Sequence, residues 1–295
     1  VGDATWPWYI AHQIGEQQGN SSLNEVYGAV LPDVFNVMFG DPYQGQLWTQ
    51  THYEFMKLVE YAEFESDKAL AFGFASHNEA WGADQSAHIS SIVHPGQGYV
   101  VRKQNELAAT LEPRIRLFLL LGGVSNVNTV IDEILPTVAH AAIETAVDLL
   151  VSQNEDPDIG RRLALAARTR GWSAPILLCK ACAADFAATA GTSEAVAAPL
   201  IVAAESEFRI QMELYGTLLS QEDPVAALAE QGADLASLLL AAELGIVVEI
   251  PADLMAETLN TAIELVEEDY AAELAATVTH VRAGLESHGI TKAAP

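Results

Sequence analysis

From about residue 125 to its end the chain is written mainly in Ala, Leu, Glu and Val, and its apolar residues return at intervals of three and four. Residues 130–151, 195–219 and 252–285 all carry this period. These residue types, Val excepted, lose little freedom in a helix. Helix-start signals precede two of the runs: Thr192-Ser193 followed by Glu194, and Pro251-Ala252-Asp253. No stretch alternates with a period of two for long enough to make a core strand. The best candidate, 99–102, is short. The pattern therefore predicts an all-α protein without an internal repeat. In the first part it predicts helices over 8–18, 49–63, 68–91 and 104–121. The Gly-, Pro-, Asn- and Asp-rich stretch 20–46 reads mostly as loop.

The 295 residues suffice for one large domain or two ordinary ones, and half of them are apolar. The net charge of −26 repels phosphate backbones, so no duplex nucleic acid is expected as a partner. It also works against adhesion to anionic membranes and draws cations in. Solubility, as in a salty habitat, is the plainer account of that charge. No run approaches the roughly 18 uncharged apolar residues of a membrane span, so no transmembrane segment is expected. Numbering begins at Val1. A secreted or periplasmic chain would begin this way after signal removal, and so would a trimmed one. The two cysteines, Cys179 and Cys182, lie in an apolar helical context. They read as small buried residues, with a local disulfide or redox pair as the alternative.

Chemistry concentrates elsewhere. Five of the eight histidines (His12, His52, His77, His88, His94) lie in the first hundred residues. If residues 74–88 are one helix, His77, Asp84 and His88 share a face, because positions seven and eleven further on return close to the start. Asp84 and His88 are then an i, i+4 pair, and His77 stands about 10 Å away along the axis. That distance favours two ions over one, with Asp84 between them. Imidazole and carboxylate are ligands that zinc accepts readily. A second i, i+4 pair is His140 and Glu144, on a face that Asp148 continues. Asp33 follows an apolar stretch, and His52 and His12 fall in predicted helices. Glu79 is expected to point elsewhere, and His280 and His288 read as surface residues.

Four passages carry a family resemblance: Gly28-Ala-Val-Leu-Pro-Asp33-Val-Phe, Trp48-Thr-Gln-Thr-His52, Phe72-Gly-Phe-Ala-Ser-His77 through Asp84 and His88, and His140-x-x-x-Glu144. In order and spacing they resemble the zinc-dependent phospholipase C family, which includes the amino-terminal domain of glycosylphosphatidylinositol phospholipase D. The resemblance covers roughly residues 6 to 150. It implies an all-helical phospholipase C-like domain over 1–150 and a further Ala-rich helical region of unassigned role over 151–295. It implies a hydrolase of phospholipid or related phosphodiester substrates that uses zinc. Asp33, His52, His77 and Asp84 would resemble the ligands of one ion, with Asp84 bridging. His88, His140 and Glu144 would resemble those of a second, and Asp33 the family's general base. Two spacings depart from the family. Trp81 stands four residues after His77, where the family has its acid. Pro7-Trp8 stands where the family places the ligands of a third ion, with His12 one turn later.

The alternative is a non-catalytic binding or assembly protein of the same fold, with a residual metal as a staple. The C-terminal helices offer a surface for a homo-oligomer in either case.

Overall fold

The computed structural model describes residues 5–19, 21–38 and 40–291. Among these residues all regular structure is helical. In chain order the α-helices are α1 Thr5–Gln17, α2 Leu23–Val30, α3 Gln44–His52, α4 Met56–Glu60, α5 Glu65–His77, α6 Tyr99–Leu121 and α7 Val127–Thr129. They continue as α8 Leu135–Asn154, α9 Ile159–Thr169, α10 Ser173–Ala190, α11 Glu194–Leu219, α12 Pro224–Leu244, α13 Ala252–Val266 and α14 Tyr270–Ser287. A 3-10 turn, Leu31–Val37, follows α2, and π-helical turns occur at Gln85–Ile89 and Val130–Ile134.

The stretch read as loop holds α2. Ser22 and Glu25 form a reciprocal capping box at its start, which satisfies two amides that a helix end otherwise leaves open. The glycines that had marked this region as irregular serve close packing. A Cβ on Gly28 would fall 2.1 Å from the Leu70 carbonyl oxygen, and one on Gly73 would fall 2.0 Å from that of Glu25. So α2 and α5 lie backbone against backbone, and every other residue type is too large at either crossing. The short strand candidate at 99–102 is the first turn of α6. The expected helix 49–63 breaks after His52, and the expected run 252–285 is two helices, α13 and α14.

Residue 150 falls inside α8, and one hydrophobic core runs across it, from Trp6 in α1 to Ile290 after α14. Buried Glu205 of α11 takes both arms of Arg170, at 2.5 and 2.6 Å, and accepts from the Tyr27 hydroxyl of α2 at 2.9 Å. A charge so deep in the core needs such partners. Cys179 and Cys182 are free thiols on α10, and burial pushes Cys182 up to about 12.

Three helical segments are long and apolar enough to cross a membrane by length and composition when two charges are tolerated: Val127–Asn154, Ser173–Ala190 and Pro224–Leu244. Packing accounts for the first, which is 72% buried inside the protein. In Pro224–Leu244, the helix α12, only 28% of the apolar window is buried.

Gly73→Ala should destabilise the fold by roughly 1–3 kcal/mol or more, as forced overpacking does. Gly45→Ala, with nothing within 4 Å of the added carbon, should stabilise α3 by up to about 1 kcal/mol. Urea unfolding curves measure both, and an unchanged midpoint for Gly73→Ala would contradict the backbone contact.

Candidate metal centre

The expected single helix over 68–91 ends at His77, and the break makes the site. Asn78 leaves the helical region with φ −25° and ψ 157°. Its side-chain Nδ2 donates to the Ala75 carbonyl at 2.7 Å, which closes α5. Its side-chain oxygen accepts from the amides of Ala80 and Trp81 at 2.8 and 2.9 Å, which opens the next turn. One residue thus satisfies a helix end on each side of itself. The turn folds back so tightly that a Cβ on Gly82 would lie 2.3 Å from the His77 carbonyl oxygen. The about 10 Å that a continuous helix would put between His77 and the next ligands therefore vanishes. His77 Nε2 lies 3.0 Å from an Asp84 carboxylate oxygen.

The first group of ligand atoms comes from three segment ends. Asp33 stands in the 3-10 turn after α2, while His52 and His77 are the last residues of α3 and α5. One atom from each lies within 4.8 Å of the others, and all three residues are buried. Both histidines are held through Nδ1. That of His77 meets the Ala29 carbonyl at 2.7 Å, and that of His52 meets the Trp48 carbonyl at 2.9 Å. A carbonyl can only accept, so Nδ1 carries the proton in both rings and Nε2 faces inward. There His52 Nε2 lies 3.4 Å from oxygens of Asp33 and Asp84, and His77 Nε2 lies 3.7 Å from Asp33. Neither buried Nε2 makes a directed hydrogen bond. Imidazoles fixed by outer carbonyls, with inward lone pairs facing carboxylates, are the arrangement a cation requires.

The second group is His88, His140 and Glu144, again within 4.8 Å of one another. The i, i+4 pair on α8 meets as its spacing predicts, with His140 Nε2 at 3.2 Å from Glu144 Oε1. His88 Nε2 reaches the same oxygen at 3.4 Å. His140 Nδ1 is anchored to Gln104 Oε1 on α6 at 2.8 Å. This outer partner carries no motif in the sequence. The side chains of His88 and His140 are 18% and 22% exposed, so the centre opens to solvent on this side.

Asp84 connects the groups, because the oxygen that faces His52 and His77 also lies 3.6 Å from His88 Nδ1. Glu79, expected to point away, turns inward with the loop. It is buried, and Oε1 lies 3.3 Å from His88 Nδ1. Glu79 Oε2 has no hydrogen-bond partner among the described residues. Glu79, Asp84 and His88 make a third, overlapping group of candidate ligand atoms. A neutral imidazole ligates through one nitrogen. With Nε2 of His88 turned to the second group, its Nδ1 proton is left to Glu79. Among the candidate ligands taken from the sequence, His12 lies outside these groups. It is buried on α1 with Nε2 at 3.4 Å from Asp156.

Electrostatics binds the cluster together. Burial alone would keep His77 neutral, but Asp84 and then Asp33 raise its pKa to about 10. Burial likewise opposes a charge on His88, and Asp84, Glu144 and Glu79 push it well above the ordinary value. Burial would raise Asp84, yet His77 and His88 hold it below the usual carboxylate range. The four carboxylates demand positive charge, which protons or cations can supply. One turn beyond Glu144, burial pushes the Asp148 carboxyl well up, and the Tyr215 hydroxyl donates to it at 2.5 Å.

The last helix braces all this. Trp81, which stands where the resemblance places an acid, lies flat on the backbone at Gly284 and stacks on His288 at 4.8 Å. Buried Glu273 accepts from the Ser91 hydroxyl and the Ile92 amide, both at 2.7 Å. Thr277 donates to Ser86 in the turn that carries His88. So α14 pins the loops on both sides of Asp84 and His88, and His288, exposed as expected, stacks on Trp81 just after that helix.

No protein-family model, curated protein or solved structure matches the chain. The functional reading therefore rests on the side chains themselves.

Two substitutions outside the ligands test the geometry. Gln104→Leu should weaken divalent metal binding about 10- to 100-fold at the His140 group, the usual loss for an outer partner. Gly82→Ala should weaken binding through displacement of Asp84 from His77. Titration calorimetry with zinc reads both, and unchanged affinity in both variants would show that the turn and the outer shell do not shape the centre.

Proposed function

We propose that the chain is a zinc-dependent phosphodiesterase acting on phospholipid or related phosphodiester substrates. The observation that carries this reading is the pair of imidazole–carboxylate groups joined at Asp84. Buried nitrogen and oxygen donors without thiolates suit zinc, and paired ions are the common solution for in-line displacement at phosphorus. When bound, the ions supply Lewis-acid charge for the phosphate oxygens and for water activation.

The protein's own residues do the rest. The half-open His88 and His140 face admits the phosphate, while the buried Asp33 group is closed to bulk water. Asp33 stands between His52 and His77, and Asn36 donates to its Oδ1 at 3.2 Å. The Asp33 carboxylate is the group placed to take the proton of an attacking water. Ions in the cluster would also offset the repulsion that a protein of net charge −26 exerts on an anionic substrate.

The depth of the Asp33 group favours a second reading, in which an ion there is a structural staple and the protein binds without catalysis. Turnover separates the two. Zinc-loaded protein should hydrolyse bis-p-nitrophenyl phosphate or p-nitrophenylphosphorylcholine. A chelator should abolish the activity, zinc should restore it, and Asp84→Asn should lower kcat at least 100-fold. A protein that holds two zinc ions yet turns over neither ester, nor any phospholipid or single-stranded nucleic acid, would exclude the enzymatic reading.

A further inference from the structure

A cleft of about 340 Å³ lies where α8, α11, α12 and α13 meet. Its walls are mostly aliphatic, with Leu214 and Leu218 from α11 facing Leu235 and Leu239 from α12. Among the described residues lining it, Glu207 alone carries a full charge. The volume falls within the range of small-molecule sites, and the shape is concave rather than flat as most protein interfaces are.

One end of this cleft is built from the elements that hold the metal centre. Asn36 lines it and donates to Asp33. Thr145 lines it and follows Glu144 directly in α8. Thus α8 shows His140 and Glu144 on one face, and Ala141 and Thr145 on the adjoining face toward the cleft. The 3-10 turn does the same with Asp33 and Asn36. A ligand that reached from one place to the other would be polar at one end and aliphatic along the other. No cation lines the cleft, so an anionic head belongs at the metal end.

We infer that the cleft holds the aliphatic chain of an amphiphilic phosphate ester whose head sits at the metal centre. Placing the head there rests on the phosphodiesterase reading, whereas the chain site stands on the cleft itself. The α12 helix, in which only 28% of the apolar window is buried, contributes Leu235, Leu238 and Leu239 to the wall of this cleft.

The test is calorimetric titration of the zinc-loaded protein with n-alkylphosphonates of four to ten carbons, kept below their aggregation concentrations. Affinity should rise about threefold to fourfold per added methylene until the cleft is full. Alkanols of equal length should show the same slope at lower affinity. Leu214→Glu and Leu238→Glu change lining positions that are 39% and 64% exposed, where a carboxylate can fold in without burial, and each should flatten the slope. A flat slope in the unaltered protein, or an unchanged slope in both variants, overturns the chain site. So does a dimer, seen by sedimentation, that either variant dissociates, since a second copy would then be the occupant. Alkanols that show the slope while phosphonates bind no tighter than they do overturn the placement of the head and count against the phosphodiesterase reading, but leave the chain site standing. Hydrolysis of short diesters without any slope does the reverse.

Discussion

The site depends on one interruption of a helix. Had α5 continued past His77, its next ligands would lie about two turns away and could not share a cation with it. Asn78 stops the helix, and its own side chain caps both sides of the break. Because the turn then doubles back under Gly82, Glu79, Asp84 and His88 come together, and Asp84 faces His52 and His77. The break after α3 serves the same end, for the His52 carbonyl accepts the Glu79 amide at 3.2 Å. So many ionisable groups in so little water are costly unless each finds opposite charge, which marks the cluster as the candidate functional site of the chain.

Support for the cluster comes from the whole length of the chain. Carbonyls at Ala29 and Trp48 set the two inner tautomers, and Gln104 sets that of His140. The C-terminal helix contributes no ligand, yet Glu273, Thr277 and the Gly284 backbone hold the loops that do. Residues 151–295 are thus mechanically part of the centre, and they also wall the apolar cleft beside it. Rigid outer support of this kind keeps ligands in place against their mutual repulsion.

Much of this was legible in the sequence, and the misses have physical reasons. Periodicity identified the all-helical class because long amphipathic helices repeat their pattern many times. The i, i+4 pair His140 and Glu144 lies on an unbroken helix, so spacing alone placed it correctly. A uniform helix across Asn78 puts His77 and Asp84 on one face but about 10 Å apart, whereas the break at Asn78 brings them to 3.0 Å. Glu79 was misplaced by the same assumption. Gly28 was read as a loop residue, though beside a Ser22-x-x-Glu25 capping signature it marks a close helix crossing. Gln104 and Glu273 act through contacts far apart in sequence, which no local pattern can announce. His12 offers an imidazole one turn beyond the position that Pro7-Trp8 holds, but α1 directs it toward Asp156.

The central claim is a centre for two ions joined at Asp84, and diffraction at the zinc absorption edge tests it most directly. Crystals grown with zinc should give two anomalous peaks about 3.5–4 Å apart, the separation usual for paired catalytic ions. One should lie among Asp33, His52, His77 and Asp84, the other among His88, His140 and Glu144. No peak in the cluster, or a single peak that leaves His140 and Glu144 without an ion, would contradict the account.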